Sequence, residues 1–262
     1  SPENNAALPT NAVTHEWYES FDVSGIDYYR VHIARDPDFL DIILNTTTTS
    51  TSLTTDVYDV DGRYYWRVKA YDRAGRMGDW SETWELVIDR IPPFAPENLH
   101  LPENNHVTSD QTPTFSWSSA LDNTDNTAEV AGVENYLLQI DNDPDFSSPD
   151  NFIVHLDNWF TLPVENTLEV GDWYWRVWAI DRAGNMSEQP SPVYKVRIND
   201  LVISLYVDPA DLVVNIGENV DIWGRASWQP DNWSVANTAV RIYIDNELVG
   251  TIYTDENGYY SA

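Results

Sequence analysis

The sequence predicts an all-β protein made of tandem antiparallel β-sandwiches. Two observations lead to this prediction. Short runs of alternating apolar and polar residues are separated by clusters of Gly, Asp, Asn and Pro, and a set of motifs recurs about 100 residues apart. No segment shows an apolar period of 3.6 residues over the length of a helix. Short strands at this spacing are typical of a sandwich.

Five motifs mark an internal repeat, with one copy of each in each half of the repeat. The distance between paired motifs grows from 100 to 109 residues, which places insertions in the second copy, chiefly in the acidic stretch 122–131. The paired motifs are residues 1–5 with 101–105, 15–17 with 115–117, 36–39 with 143–146, 65–68 with 174–177, and 72–75 with 181–184. Two related units of about 100 residues each are therefore expected.

Each copy has a clear strand pattern. In the first copy we expect five strands, at residues 13–18, 27–34, 51–58, 63–71 and 81–88. The alternation is strongest in residues 63–71 and recurs in residues 173–180, which predicts a half-buried strand in both copies. Four tryptophans fall at inward positions and are predicted core residues: Trp17, Trp66, Trp117 and Trp175.

The motif Tyr64-x-Trp66-x-Val68-x-Ala70, followed by Asp72-Arg73-Ala74-Gly75, resembles the penultimate strand of a fibronectin type III domain. Trp17 and Trp117 stand where that family buries a tryptophan on its second strand. The resemblance covers residues 1–198 and implies two such sandwiches, similar to tandem domains in large bacterial and archaeal surface proteins. The family's corner tyrosine is Tyr64 in the first copy but Trp173 in the second. An indole is not expected to make the hydroxyl's hydrogen bond in the same way.

Residues 80–84 resemble, with one extra residue, a Trp-Ser-x-Trp-Ser motif whose indoles stack on cations of the adjacent strand. Arg67 and Lys69 are the predicted cations that stack on these indoles. From residue 201 the pattern changes and resembles the first part of a bacterial-type immunoglobulin-like domain, with hairpin turns expected at 246–247 and 257–258.

The expected domains are residues 1–91, 92–200 and 201–262. The first is expected to lack its first strand and the third its C-terminal strands, which indicates a segment of a longer protein. The joints are Ile91-Pro92-Pro93, stiffened by paired prolines, and the very short Asn199-Asp200. Neighbouring domains are therefore expected to touch.

Composition excludes several classes of function. There are 43 Asp and Glu against 14 Lys and Arg, so the net charge is 14 − 43 = −29, which argues against nucleic acid and anionic membrane surfaces as partners. The longest apolar runs fall short of the roughly 20 residues that a membrane span needs. The absence of cysteine excludes disulfides, thiolate metal sites and cysteine nucleophiles.

No catalytic motif is present in the sequence, and the five histidines show no metal-ligand spacing, so a non-enzymatic chain is expected. Calcium is the predicted ligand, because acidic loops supply the several oxygen atoms that this ion needs. The alternative is that these acids form ordinary turns and a solvated face. The candidate ligands are Asp122, Asp125, Glu129, Asp141, Asp143 and Asp145.

Two kinds of carbohydrate contact are also predicted. Three sequons could carry N-linked glycans, at Asn45, Asn185 and Asn232. Three tryptophans could stack on sugars if they are exposed, with local burial as the alternative: Trp178, Trp228 and Trp233.

These features predict a stalk or adhesion segment of a secreted or surface-anchored prokaryotic protein, such as an adhesin, a surface layer or a filament. Its partners would be neighbouring domains, copies of the same protein, or glycans. The alternative is a set of carbohydrate-binding accessory modules of a secreted hydrolase.

Overall fold

The structure is a computed structural model that describes residues 1–122, 131–208, 221–229, 233–244 and 247–261. The described residues form twenty-one β-strands and one short 3₁₀ helix, Val164–Asn166. The predicted fold class, tandem antiparallel β-sandwiches, is confirmed. No helix in these ranges has the length and apolarity needed to cross a membrane.

The first sandwich packs a five-stranded sheet, in the order β1-β7-β6-β3-β4, against the pair β2-β5. Its strands are β1 (Ala6–Leu8), β2 (Val13–Glu16), β3 (Ile26–Ala34), β4 (Ile42–Thr48), β5 (Ser52–Thr55), β6 (Gly62–Asp72) and β7 (Trp84–Ile88). All pairings are antiparallel except that of β1 with β7. The sequence pattern found β2, β3, β5, β6 and β7 but missed β1 and β4.

The second sandwich repeats this plan. Its large sheet has the order β12-β11-β14-β15-β9, and its small sheet has the order β13-β10-β8. The strands are β8 (Leu99–Leu101), β9 (His106–Thr108), β10 (Thr114–Trp117), β11 (Val133–Asp141), β12 (Asp150–His155), β13 (Trp159–Thr161), β14 (Gly171–Asp181) and β15 (Tyr194–Ile198). Strand β9 pairs parallel with β15, as β1 pairs with β7.

Aromatic side chains fill both cores, as the inward tryptophan positions predicted. Trp117 and Trp175 are fully buried in the second core, and Trp66 is buried in the first, where Trp17 packs at the margin. One position differs in kind: buried His15 of the first core stands at the repeat position of Phe115.

The corner prediction for the second copy is wrong. In the first sandwich the Tyr64 hydroxyl donates to the carbonyl of Val60 at 2.7 Å. In the second, Trp173 Nε1 donates to the carbonyl of Glu169, also four residues back, at 2.8 Å. The indole N–H therefore reaches the same acceptor position, because the corner needs an aromatic donor and does not need a hydroxyl.

The C-terminal strands form separate sheets. Strand β17 pairs with β16, β18 and β21, and β19 pairs with β20. Their bounds are β16 (Asp200–Asp208), β17 (Asp221–Gln229), β18 (Trp233–Ser234), β19 (Ala239–Ile244), β20 (Glu247–Tyr253) and β21 (Tyr259–Ser261). A turn is present at the second predicted hairpin position, with Gly258 N–H donating to the Asp255 carbonyl at 3.1 Å. The prediction of a hairpin there is wrong, because β21 after this turn pairs with β17 and not with β20.

Candidate functional site

The candidate site lies at the joint between the first two sandwiches and begins with Asp89. This residue directly follows β7, and only 1% of its surface is exposed. Its backbone N–H continues the β1–β7 edge by donating to the carbonyl of Leu8 at 3.0 Å. Its side chain reaches the next sandwich, where Oδ2 accepts from the backbone N–H of Ala131 at 2.7 Å. The last strand of one sandwich thus ends in a carboxylate held by the other.

The second carboxylate, Asp181, ends β14 and opens the repeated Asp-Arg-Ala-Gly turn. Its Oδ1 accepts from the backbone N–H of Asn185 at 2.8 Å, and its Oδ2 accepts from Asn185 Nδ2 at 2.7 Å. Gly184 supplies the left-handed backbone (φ 93°) that the turn requires. Asn185 Nδ2 also donates to the Asp89 carbonyl at 2.9 Å, so this amide ties the two sandwiches together.

The third carboxylate is Asp122, five residues beyond β10. Its Oδ2 accepts from the backbone N–H of Gly132 at 2.6 Å, just before β11 begins. Its Oδ1 is buried and has no hydrogen-bond partner. A buried carboxylate oxygen without a partner is costly, because it has lost water and gained no donor in return.

These three side chains form a carboxylate cluster, in which one oxygen from each aspartate lies within 4.8 Å of the others. Burial, together with the negative charges of Asp89 and Asp181, raises the pKa of Asp122 to about 6. Burial likewise raises the pKa of Asp181. Within the part of the chain that the structure describes, no Lys or Arg forms an ion pair with any of the three.

The first sandwich has a different charge balance at the same end. Asp22 and Asp72 stand at the repeat positions of Asp122 and Asp181, and Arg76 stands at that of Asn185. Asp72 Oδ1 accepts from the backbone N–H of Arg76 at 2.7 Å, as Asp181 does from Asn185. Hydrogen bonds from Ser24 lower the pKa of Asp22, and the charge of Arg76 lowers it further. The first copy therefore has a built-in cation where the second has a neutral amide.

Of the predicted calcium ligands, Asp122 belongs to the cluster, while Asp125 and Glu129 lie outside the described residues. Asp141 accepts from the N–H groups of Asp143 and Ser148, and Asp143 accepts from Asp145 N–H and the Ser147 hydroxyl. These carboxylates organise their own turn, and no metal-ligand group among the described residues includes them.

Sequence reasoning missed Asp89 and Asp181. Asp181 belongs to the repeated Asp-Arg-Ala-Gly motif, which the sequence identifies as a repeat and not as part of a site. Asp89 has no comparable local signal, because its contact with the second sandwich arises only in the folded protein.

The predicted carbohydrate positions fall in three settings. Asn45 is exposed on β4, whereas Asn185 Nδ2 donates to both Asp89 and Asp181, so a glycan there would require those bonds to break. Trp178 is partly buried and its Nε1 donates to Gln139 at 2.9 Å. Asn232 lies outside the described residues, as do the side chains of Trp228 and Trp233 in β17 and β18.

The predicted cation stacking is confirmed for Trp80, whose ring centre lies 4.4 Å from Arg67 and 4.6 Å from Lys69. Trp84, the other indole of the motif, instead packs edge-on against Trp66 at 5.7 Å. A second contact recurs in both copies. Arg67 lies 3.7 Å from the Phe39 ring, and Arg176 lies 4.0 Å from the Phe146 ring. Both phenylalanines end the repeated Asp-Pro-Asp-Phe turn.

A groove of about 980 Å³ opens in the first sandwich beside Trp17, between the small sheet and residues 77–84. Its lining includes Tyr18, Phe21 and Trp84. In the second sandwich, β8 pairs with the corresponding part of β10 through Leu99 and Trp117. The groove therefore follows a sheet edge, at the place where the second sandwich has β8.

No protein-family model matches the sequence, and no curated protein matches it significantly. Solved structures do match in fold. The FN1–FN3 domains of chicken CNTN1 align with a TM-score of 0.54 and 17% identity, covering 75% of this chain and 65% of that structure. The fibronectin(III)-like modules of Clostridium thermocellum CbhA align with a TM-score of 0.47 and 13% identity, covering 84% of this chain and 97% of theirs. The CNTN1 alignment shows that the chain has the fold of tandem fibronectin type III domains, and the chain spans about two thirds of that structure.

Proposed function

We propose that the chain is a non-catalytic spacer or adhesion segment of a secreted or surface-anchored prokaryotic protein. The proposed domains are residues 1–91, 92–200 and 201–262. In this role the first two sandwiches act as one stiff element that sets a distance between other parts of a protein at the cell surface. Its partners would be the neighbouring domains or further copies of the same chain.

The joint between the two sandwiches is the observation that supports this proposal most strongly. Asp89 is bonded to the second sandwich through both its side chain and its carbonyl, to Ala131 and Asn185. Five residues later, the backbone N–H of Phe94 donates to the Leu121 carbonyl at 2.9 Å. Pro92 and Pro93 have fixed φ angles in between. Because hydrogen bonds to the second sandwich hold both ends of the joint, few residues between the sandwiches are free to move. A stiff spacer requires such a joint.

Single-molecule energy transfer tests this proposal directly. The chain has no cysteine, so Ser50→Cys and Asp157→Cys would label one exposed site in each sandwich. We expect a narrow distance distribution that Asp89→Ala broadens and that Asp143→Ala, a matched change in a turn away from the joint, leaves narrow. A broad distribution in the otherwise unchanged chain would contradict the stiff-spacer role.

A second candidate function is that of a carbohydrate-binding accessory module. Trp159 on β13 supports it, because this tryptophan is 52% exposed and exposed indoles are suited to stacking on sugars. Affinity electrophoresis against cell-wall and plant polysaccharides would test it. Retardation lost in Trp159→Ala but kept in Trp178→Phe would favour the accessory module, and no retardation by any polysaccharide would exclude this candidate for those ligands.

A further inference from the structure

We infer that Asp89, Asp122 and Asp181 bind a divalent cation of the calcium type at the joint between the first two sandwiches. The inference concerns the joint between the two sandwiches and does not depend on the proposed spacer or adhesion role. Two sandwiches contribute ligands to one ion, with Asp89 from the first and Asp122 and Asp181 from the second.

Geometry is the first argument. Calcium–oxygen distances are about 2.3–2.6 Å, so two oxygens on opposite sides of one calcium ion lie about 5 Å apart. One oxygen from each aspartate lies within 4.8 Å of the others, so a single ion can touch all three. Magnesium takes shorter bonds of about 2.1 Å, demands a strict octahedral shape and usually keeps several of its waters, so the flexible coordination of calcium suits three protein carboxylates better. Water can fill the remaining positions around calcium.

The second argument is the buried, unpartnered Oδ1 of Asp122. The other carboxylates are bonded to backbone and amide donors, but this oxygen has lost its water without gaining a donor. A bound cation would supply the missing partner and would balance three negative charges that no described ion pair offsets.

The third argument is internal to the repeat. Arg76 occupies in the first sandwich the position of Asn185 in the second, and its charge acts on Asp22. The same pair of aspartates is thus accompanied by a protein cation in the first copy, whereas no described Lys or Arg forms an ion pair with it in the second. The copy without its own cation is also the one to which Asp89 adds a third carboxylate.

Titration calorimetry with CaCl₂ tests the inference on the full chain after treatment with chelator. It should be done in about 150 mM NaCl, because salt screens the diffuse attraction of an acidic chain for any cation. We expect one saturable site, an affinity at least tenfold lower in Asp122→Asn, and unchanged affinity in Asp143→Asn. A titration without a saturable site, or one that Asp122→Asn leaves unchanged, would overturn the inference.

The variant Asn185→Arg provides a second test, in which thermal stability is measured in place of calcium affinity. This change copies the first repeat and places a guanidinium beside the carboxylates. We expect calcium to raise the thermal midpoint of the unmodified chain by several degrees and to leave that of Asn185→Arg unchanged, with the variant at least as stable in chelator. Equal calcium stabilisation of both proteins would refute the site. Stiffness of the joint in chelator is a separate property and bears on the spacer role only.

Discussion

The buried pair of His15 and Tyr58 makes the first sandwich sensitive to acid. His15 Nε2 lies 2.6 Å from the Tyr58 hydroxyl, both side chains are fully buried, and the His15 ring meets Trp66 edge-on at 4.7 Å. Burial lowers the pKa of His15 from 6.5 to about 4. The imidazole is therefore neutral in the folded protein at pH values where the unfolded chain already binds a proton.

This difference fixes the sign and size of the effect. Above pH 6.5 neither state is protonated at His15, and the histidine adds no pH dependence. Between pH 6.5 and 4 the unfolded state binds the extra proton, so the free energy of unfolding falls as the pH falls. With a difference of about 2.5 pKa units, the loss is about 2 kcal/mol at pH 5 and about 3 kcal/mol at pH 4.

The matched variant replaces both partners, His15→Phe with Tyr58→Phe, because the second repeat already has Phe115 at the histidine position. Hydrogen exchange of amides in β6 at pH 7.5, 5 and 4 would report the unfolding free energy of the first sandwich within the full chain. The prediction is that the unmodified chain loses the stated energy relative to the variant. Parallel pH curves for the two proteins would refute the reasoning, since carboxylate titrations are common to both.

Three further predictions concern single side chains. Hydrogen bonds from Arg197, aided by Lys195, lower the pKa of Asp172 to about 2; because this group is partly exposed, Asp172→Asn should cost about 1 kcal/mol at pH 7. Denaturant titration in low and high salt should show a smaller cost in high salt, and equal costs would contradict the ion-pair account. Ser191→Ala removes the oxygen that accepts from the buried Val177 N–H at 2.9 Å, so it should cost about 1–3 kcal/mol, whereas Ser191→Thr should retain much of the bond; equal losses would exclude the hydroxyl as the cause. Trp80→Ala should destabilise the first sandwich by more than Trp80→Phe, by about 0.5–2 kcal/mol for the cation contacts, and no difference by thermal unfolding would remove those contacts from the account.

The sequence predicted best those parts of the fold where side chains alternate against a core. Strand β6 and its counterpart β14 were clear because Trp66 and Trp175 point inward in a regular alternation with polar residues. Strand β4 was missed because its residues are exposed or partly buried, which leaves no apolar alternation to detect. The three-residue β1 is held by parallel pairing with β7, and that partner lies about 80 residues away in sequence.

The candidate site was predicted only in part, for a related reason. Asp122 was found because it opens an acidic stretch, which is a local signal. Asp89 and Asp181 are brought to it by the folding of two different sandwiches, and a single sequence carries no sign of that approach. The prediction for Trp173 failed for a different reason. From the sequence, an indole is expected to be a poor substitute for the tyrosine hydroxyl, but the indole N–H donates to the same acceptor position.

The serines after β14 have a consequence for the behaviour of the protein at high concentration. Beyond its pairing with β15, this strand would present free N–H groups to any neighbouring chain, but Ser191 and Ser187 accept from Val177 and Ala179. Ser81 does the same for Val68 in the first sandwich. Strand donors satisfied within the molecule cannot recruit a strand from another copy. Crowded copies can thus lie side by side without fusing into intermolecular sheets along these edges.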